Sequence, residues 1–303
     1  MIRRFLVLTL ALATAGTAAG RELTSSYVIT AVANTAGLEG TDWHSDVTIY
    51  NPHAFALPIV MQLLPSNRDN TGAVPTVELS VLPYETLNLW DVLGPNGFAA
   101  RGSTGALLVY ADDQRITCPS LESLCDFAVF ARTYTLNPSS GGGEFGQAVP
   151  GVPANLGMDW SVIGYLPQVS DDADFRTNVG VASMTSGWVK VRADLQDSDG
   201  NVIDRRDHMI PPYGHVQWRL ERGVTGGTVA TYIVEAPDGA IVYPYASTVN
   251  WQTGDAVNIE SHYTAVGISA QSSAMRSPQD KPGRLPVPSF SPERLRARPR
   301  RGL

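Results

Sequence analysis

The sequence predicts an all-β protein built as two tandem immunoglobulin-like β-sandwich domains, and three observations predict it. Only 17% of the 303 residues are charged while 43% are hydrophobic, with 28 Gly and 21 Pro; this is the composition of short strands joined by many turns, not of a disordered chain. Runs of β-branched and aromatic residues are punctuated throughout by Pro, Gly, Asn and Asp. Finally, three motifs recur in the same order further along the chain, offset by 132, then 129, then 113 residues, which points to an internal duplication.

The boundaries that follow are a secretory signal over 1–20, a first sandwich over 21–152, a second over 153–270 and a disordered tail over 271–303. In the signal, Arg3 and Arg4 precede an apolar run from Phe5 to Ala15, and the small residues Gly16 to Gly20 follow, the order that export and cleavage require. No apolar run reaches the ~20 residues of a membrane span, so the mature chain is expected to have no transmembrane segment. The last 33 residues hold six prolines and eight basic residues against Asp280 and Glu293, too few apolar groups to offset the entropy of ordering. Their charge of +6 contrasts with −15 over Arg21 to Ala270. Arg294, Arg296, Arg298, Arg300 and Arg301 are therefore candidate polyanion contacts, whether to anionic envelope lipid, to a glycan or to the protein's own acidic body. An exported protein with an acidic body is not expected to bind nucleic acid.

Within the body, Asp42 to Ile49 matches Asp174 to Val181, Leu82 to Leu87 matches Pro211 to Val216, and Ala128 to Ala131 matches Ile241 to Pro244. The shrinking offset places insertions in the first copy near Asn67 to Pro75 and Asp112 to Asp126. Strands are expected at 47–50, 57–64, 76–82, 86–90, 105–110 and 127–136. Asn51-Pro52, Leu82-Pro83 and Gly94-Pro95-Asn96-Gly97 supply the turns between them. In the second copy Val189 to Leu195 alternates apolar and polar residues, and Asp197-Ser198-Asp199-Gly200 turns it into Asn201 to Asp204, a hairpin. Gly141 to Gly143 marks a hairpin tip, and Val149-Pro150-Gly151-Val152-Pro153 a stiff link between the copies. Six or seven strands per copy is the pattern of an immunoglobulin-like sandwich.

The chemistry-bearing residues are few. Cys118 and Cys125 lie in an insertion, and in an oxidising compartment they are expected to close a small loop as a structural disulfide. His44, His53, His208, His215 and His262 are too dispersed for a metal site and read as surface or turn histidines. Asp197 to Asn201 supplies oxygen ligands, yet its Gly sits fourth, not sixth, and His208 stands where a calcium loop carries a bidentate Glu. Gly102-Ser103-Thr104-Gly105 lacks the spacing of a nucleophile elbow. No catalytic, cofactor-binding or metal-binding residues are assigned. Of the six tryptophans, Trp43 and Trp251 stand near strand ends beside polar residues, so they are the candidate sugar-stacking platform. The other four read as core.

Phe175-Arg176-Thr177-Asn178, Asn51-Pro52, Pro211-Pro212-Tyr213-Gly214 and Gly142-Gly143-Glu144-Phe145-Gly146-Gln147 resemble elements of an uncharacterised group of exported bacterial tandem β-sandwich proteins. The resemblance covers most of residues 27 to 260. It departs at Trp43-His44-Ser45-Asp46, where the Arg is lost, and at the cysteine insertion. It implies an exported sandwich and brings no activity or catalytic residues with it. The expected function is a non-catalytic envelope-structural, adhesion or ligand-binding role. Its partner would be an envelope component, a glycan or a protein. A carbohydrate-binding module and a periplasmic pilus-type chaperone are the alternatives, and a hydrolase comes last.

Overall fold

The computed structural model describes residues 23–116, 125–137 and 143–266. The signal segment, Cys118 and the arginine-rich tail lie outside them. The first half carries β1 (Ser26–Ala36), β2 (Asp42–Tyr50), β3 (Leu57–Pro65), β4 (Thr76–Val81), β5 (Thr86–Leu89), β6 (Ser103–Ala111), β7 (Ala128–Asn137) and β8 (Gly143–Pro150). A two-residue strand, β9 (Val152–Pro153), follows. The second half carries β10 (Val162–Asp171), β11 (Phe175–Ser183), β12 (Val189–Gln196), β13 (Val202–Ile210), β14 (His215–Arg219), β15 (Val224–Glu235), β16 (Val242–Asn250), β17 (Ala256–Glu260) and β18 (His262–Ala265).

All pairings between these strands are antiparallel. In the first half one sheet runs β4-β3-β6-β1-β2-β7-β8, with β5 on β2 and β9 on β1; in the second, β13-β12-β15-β10-β18 and β14-β11-β16-β17 are separate sheets. Apart from the β1–β2 pairing at Thr35 and Ala36, which has no β10–β11 counterpart, the pairings of β1 to β8 recur in β10 to β17. The neighbour order is not that of an immunoglobulin domain, whose sheets in chain order run 1-2-5-4 and 3-6-7. The coarser description holds, β-sandwiches of antiparallel sheets. Each half also has eight strands or more, not six or seven, because β1 and β8, and their counterparts β10 and β17, add to the sheets.

Period-two burial builds the first core. Leu57, Ile59, Met61 and Leu63 of β3 meet Val47 and Ile49 of β2 and Phe127, Val129 and Ala131 at β7, as alternating inward positions of two facing sheets do. In the second half Leu166, Val179, Ala193 and Val229 form one cluster and Val181, Val191, Ile210 and Val242 another, with Trp218 touching both. Outer strand β13 is protected by charge: Arg192 and Asp194 of β12 stand opposite Asp207 and Arg205, and both pairs close at 2.6 and 2.7 Å. Charges along an edge strand discourage pairing with another chain.

The turns are explicit in the residues that make them. Tyr84 and Tyr213 both take positive φ, 57° and 44°, behind Pro83 and Pro212. In both turns the fourth residue donates back to the first, Glu85 N–H to Leu82 O at 3.1 Å and Gly214 N–H to Pro211 O at 2.9 Å. Proline fixes the first central residue of such turns, and the second pays a strain cost that the hydrogen bond offsets. At the β12–β13 hairpin, Asp197 Oδ1 accepts from the N–H of Asp199 and Asn201 at 3.0 and 2.8 Å, and Gly200 supplies φ +85°.

Candidate functional site

β8 ends the first sheet, and β1 pairs with β2 only at Thr35 and Ala36, which leaves the rest of that flank of β1 without a β2 partner. β9 covers part of it by pairing with β1 at Tyr27 and Val28. The second half covers the rest. Tyr245 of β16 is 1% exposed and belongs to the hydrophobic core of the first sandwich, not of its own. Its ring lies over Gly180, its partner across the β11–β16 ladder; a Cβ at Gly180 would collide with the ring. Outward-facing Val28, Leu64 and Leu108 of the first sandwich pack against Ala182 and Tyr243 of the second. The two sandwiches thus share apolar packing across this seam.

Hydrogen bonds fix the register of this seam. The segment after β3, read as an insertion from the sequence, clamps the Pro211–Gly214 turn. Asn67 N–H donates to His215 O at 2.8 Å, Asn70 N–H to Pro212 O at 3.0 Å, and Asn70 Nδ2 to Tyr213 O at 2.9 Å. Ser247 Oγ donates to Gln147 Oε1 at 2.9 Å across the β8–β16 side.

At the centre of the seam sits a polar chain. Tyr245 donates its hydroxyl to Gln217 Oε1 at 2.8 Å, so the same oxygen receives the Nε2–H of His215 at 2.7 Å. His215 Nδ1 then accepts from Ser66 Oγ at 2.6 Å, and Ser66 accepts from Thr104 at 2.7 Å. Burial alone pushes His215 down to about 4, so the ring is neutral near pH 7 and the direction of the chain is set. A serine hydroxyl on a histidine is half of a nucleophilic pair, but this imidazole is 1% exposed, and its other nitrogen is spent on a tyrosine. The arrangement serves as a buried latch between sandwiches. The expectation that His215 is a surface or turn residue is corrected accordingly: its strand is covered by the other sandwich.

Two hollows remain in the seam. One, about 360 Å³, is lined by Val152, Leu156, Val162, Tyr243, Tyr245 and Tyr263, with Asp159, Asn258 and Glu260 among its polar groups. Burial pushes the Tyr263 hydroxyl up to about 12, so it remains a donor. The other, about 240 Å³, is lined by Trp43, Gln147, Arg176, Asn178, His215, Gln217 and Ser247 among others.

The tryptophans behave differently from the sugar platform expected of them. Trp43 is 8% exposed and packs on Val249 and Ala256 of the other sandwich, with its Nε1 donating to Thr41 at 3.1 Å. Trp251 donates to Asp172 O at 3.2 Å, and the guanidinium groups of Arg176 and Arg219 approach its ring to 5.3 and 4.7 Å. Trp43 is buried at the junction, where it lines the second hollow, and the chain's own arginines stand against the ring of Trp251. The exposed indoles are Trp160 and Trp188, which the sequence reading assigned to the core.

Next to Trp43 on β2, Asp42, His44 and Asp46 share the face turned from the core. His44 reaches Asp91 and Asp42 at 3.2 Å each, and its pKa is raised, chiefly by the Asp91 hydrogen bond. Burial pushes Asp91 up, but its bonds to His44 and Asn34 outweigh that and hold it low. Burial raises Asp46, which accepts from Asp91 N–H at 2.8 Å and from Tyr134 at 3.3 Å. Among the described residues no group of three His, Cys, Asp or Glu converges as metal ligands do. Cys125 is buried in the first core beside Phe127, and no free cysteine occurs among the described residues. Its intended partner Cys118, and Arg294, Arg296, Arg298, Arg300 and Arg301, lie outside them.

Tyr245, Asn70 and Gln217 were not singled out in the sequence reading, and His215 was read there as a surface or turn residue. One signal was present: Val242-Tyr243-Pro244-Tyr245-Ala246 is apolar at successive positions, where a strand with one wet face would alternate.

No protein-family model matches the chain, and no characterised protein matches it. Among solved structures, a calcium-binding mutant of Bacteroides uniformis beta-glucuronidase 2 is similar at 14% identity over 79% of this chain, with a TM-score of 0.17. The chain spans 26% of that structure's length.

Proposed function

We propose that this is an exported, non-catalytic binding protein of the bacterial envelope, with an N-terminal signal over residues 1–20, two sandwiches descended from one duplicated unit, and a disordered basic tail over 271–303. One observation carries the binding role: the sandwiches close on each other around hollows of about 360 and 240 Å³. Junctions between domains are where small ligands are preferentially held. The non-catalytic reading rests on how the Ser66–His215 contact is used, since its imidazole is enclosed and spent on the latch. The shared pairing scheme and the paired Tyr84 and Tyr213 turns support descent by duplication. Cys118 and Cys125 are read as one structural disulfide, which fits export. The tail arginines would hold the chain to anionic envelope material. The resemblance to exported tandem-sandwich proteins points the same way.

The test is retention of purified residues 21–303 on isolated envelope fractions and on insoluble polysaccharides, beside a chain ending at Ala270. Retention of the first on envelope material is expected, with loss in the second if the arginines carry it. Failure of both chains to be retained on any fraction would overturn the envelope assignment. The carbohydrate-module alternative loses its motive with Trp43 and Trp251 covered, unless Trp160 or Trp188 serves in their place; substituting those two separates the readings.

A further inference from the structure

On the second half, the seam is made by one face of β14, β11 and β16, and the same register positions exist on the first half. Two residues beyond Tyr213, with its positive φ, His215 pairs with Ala182, and Ala182 pairs on its other side with Tyr243. Two residues beyond Tyr84, the other tyrosine of positive φ after a proline, Thr86 pairs with Tyr50, and Tyr50 with Ala128. The next outward row is Gln217, Gly180 and Tyr245 in the second half, and Asn88, Thr48 and Phe130 in the first. Both faces point away from their own cores, since Val179 and Val181 are core residues on β11 and Val47 and Ile49 on β2. Phe130 therefore occupies on the first sandwich the place that Tyr245 occupies on the second.

The two faces differ in what lies over them. Ala182 is 0% exposed and Tyr243 and Tyr245 are 1% each, whereas Tyr50 is 39% and Phe130 45% exposed. At the adjoining turn Leu82 and Tyr84 are 52% and 63% exposed, while Pro211 is buried and Tyr213 half-buried. Neither row of the first half contains a charged residue, and Thr48 donates to Asn88 Oδ1 at 2.8 Å across it. The next outward residue of β7, Arg132, is held by Glu144 at 2.7 Å. Exposed apolar groups gathered on one face, with polar groups at its rim, mark an interaction surface.

The occupant follows from the other side of the seam. The first sandwich receives its partner on Val28, Leu64 and Leu108 of β1, β3 and β6. The strands in those places on the second half are β10, β15 and β12. Val191, Ala193 and Leu195 of β12 are core residues, so Lys190, Arg192 and Asp194 face outward, closed on Glu235, Asp207 and Arg205. Repeating the seam head to tail between chains would press Tyr50 and Phe130 onto these ion pairs and desolvate them at a cost. The same face of another copy carries no such cost, because rows of Tyr, Phe, Thr and Asn meeting across a two-fold axis bring no like charges together, and such a contact closes at two.

We infer that the chain pairs with a second copy of itself through the face of β5, β2 and β7 that carries Tyr50 and Phe130, as a symmetric dimer. The inference rests on register and exposure and is independent of the binding-protein reading. The test is sedimentation velocity of residues 21–303 at rising concentration, in about 0.5 M salt to screen attraction between the basic tail and the acidic body. A reversible monomer–dimer equilibrium is expected. Phe130→Asp should weaken it at least about tenfold, because each substitution enters a two-fold contact twice, and Tyr50→Ser should weaken it from the other row; both side chains are exposed, so the fold is spared. Trp188→Ser, at an indole 53% exposed on the second half, should leave the dimer unchanged. A dimer indifferent to both first-half variants, one weakened equally by Trp188→Ser, or growth beyond two copies would each overturn the pairing. A chain that stays monomeric up to about 0.1 mM would overturn it as well and give the face to a different protein.

Discussion

Acid should loosen the seam, and His215 sets by how much. Burial lowers its pKa from 6.5 to about 4, so the folded state resists a proton that the unfolded chain accepts. The sign follows: the contribution is fully present above pH 6.5, is lost as pH falls below it, and levels off under about pH 4. At about 1.4 kcal/mol per pH unit the total is roughly 3 kcal/mol, a large fraction of the 5–15 kcal/mol typical of a folded protein. Protonation also makes Nδ1 a donor to Ser66, which must then turn its own proton toward Thr104, while the His215–Tyr245–Gln217 bonds keep their direction. Other histidines titrate in the same range. His208, lowered chiefly by burial, acts in the same sense, and His44, raised by Asp91 and Asp42, acts in the opposite one. The assay is therefore a difference: urea unfolding from pH 7.5 to 4 for the wild type and for His215→Gln. The variant is less stable at neutral pH, but its stability should fall by roughly 3 kcal/mol less across that range. Parallel curves for the two proteins would refute the assignment of a buried neutral imidazole to the seam.

Three further outcomes follow from the same contacts. Tyr245→Ala removes an aromatic ring from the core of the sandwich it does not belong to; a loss of about 3–5 kcal/mol is expected, and calorimetry should show the single transition of the wild type divide into two. Gly180→Ala places a methyl group into the enclosed Tyr245 ring and should cost about 1–3 kcal/mol by overpacking, with urea midpoints as the measure; an unchanged midpoint would mean that the ring is free to move. Cys118 and Cys125 should yield a mass gain of two hydrogens on reduction and no alkylation in the native protein, with stability lower by ~2–3 kcal/mol after reduction on loop-entropy arithmetic.

Local structure was legible where one residue type has one physical use. Pro83 and Pro212 before a residue of positive φ, Asp197 to Gly200 at a hairpin tip, and alternation over Val189 to Leu195 all name their own conformations. So did the strands centred on Ile49, Met61 and Val109. The strand order was not legible, because alternation says which face of a strand is wet and nothing of which strand lies beside it. The sequence reading of Trp43 failed for a related reason: polar neighbours at Asp42 and His44 describe the opposite face of β2, and burial of Trp43 is decided by Val249 and Ala256, more than 200 residues away.

The seam itself explains why the site could not be read from either half alone. A lone sandwich built as the first one is would leave β8 as an exposed edge and a hole in its core where Tyr245 sits. The second would leave Tyr243 and Tyr245 on a wet face of β16. Each defect is corrected only by the other half, so neither is a complete folding unit by the measure of buried apolar area and satisfied edges. Two sandwiches free to diverge would lose such matched defects unless the junction served a purpose. Gln147 comes from β8 of one half, and Arg176, Gln217 and Ser247 come from the other; all four are among the residues that line the smaller hollow. A device that needs both halves to exist is best placed where both halves meet. The test of that argument is expression of residues 21–152 and 153–270 as separate chains: neither should show a cooperative urea transition, and such a transition in either would refute the mutual dependence.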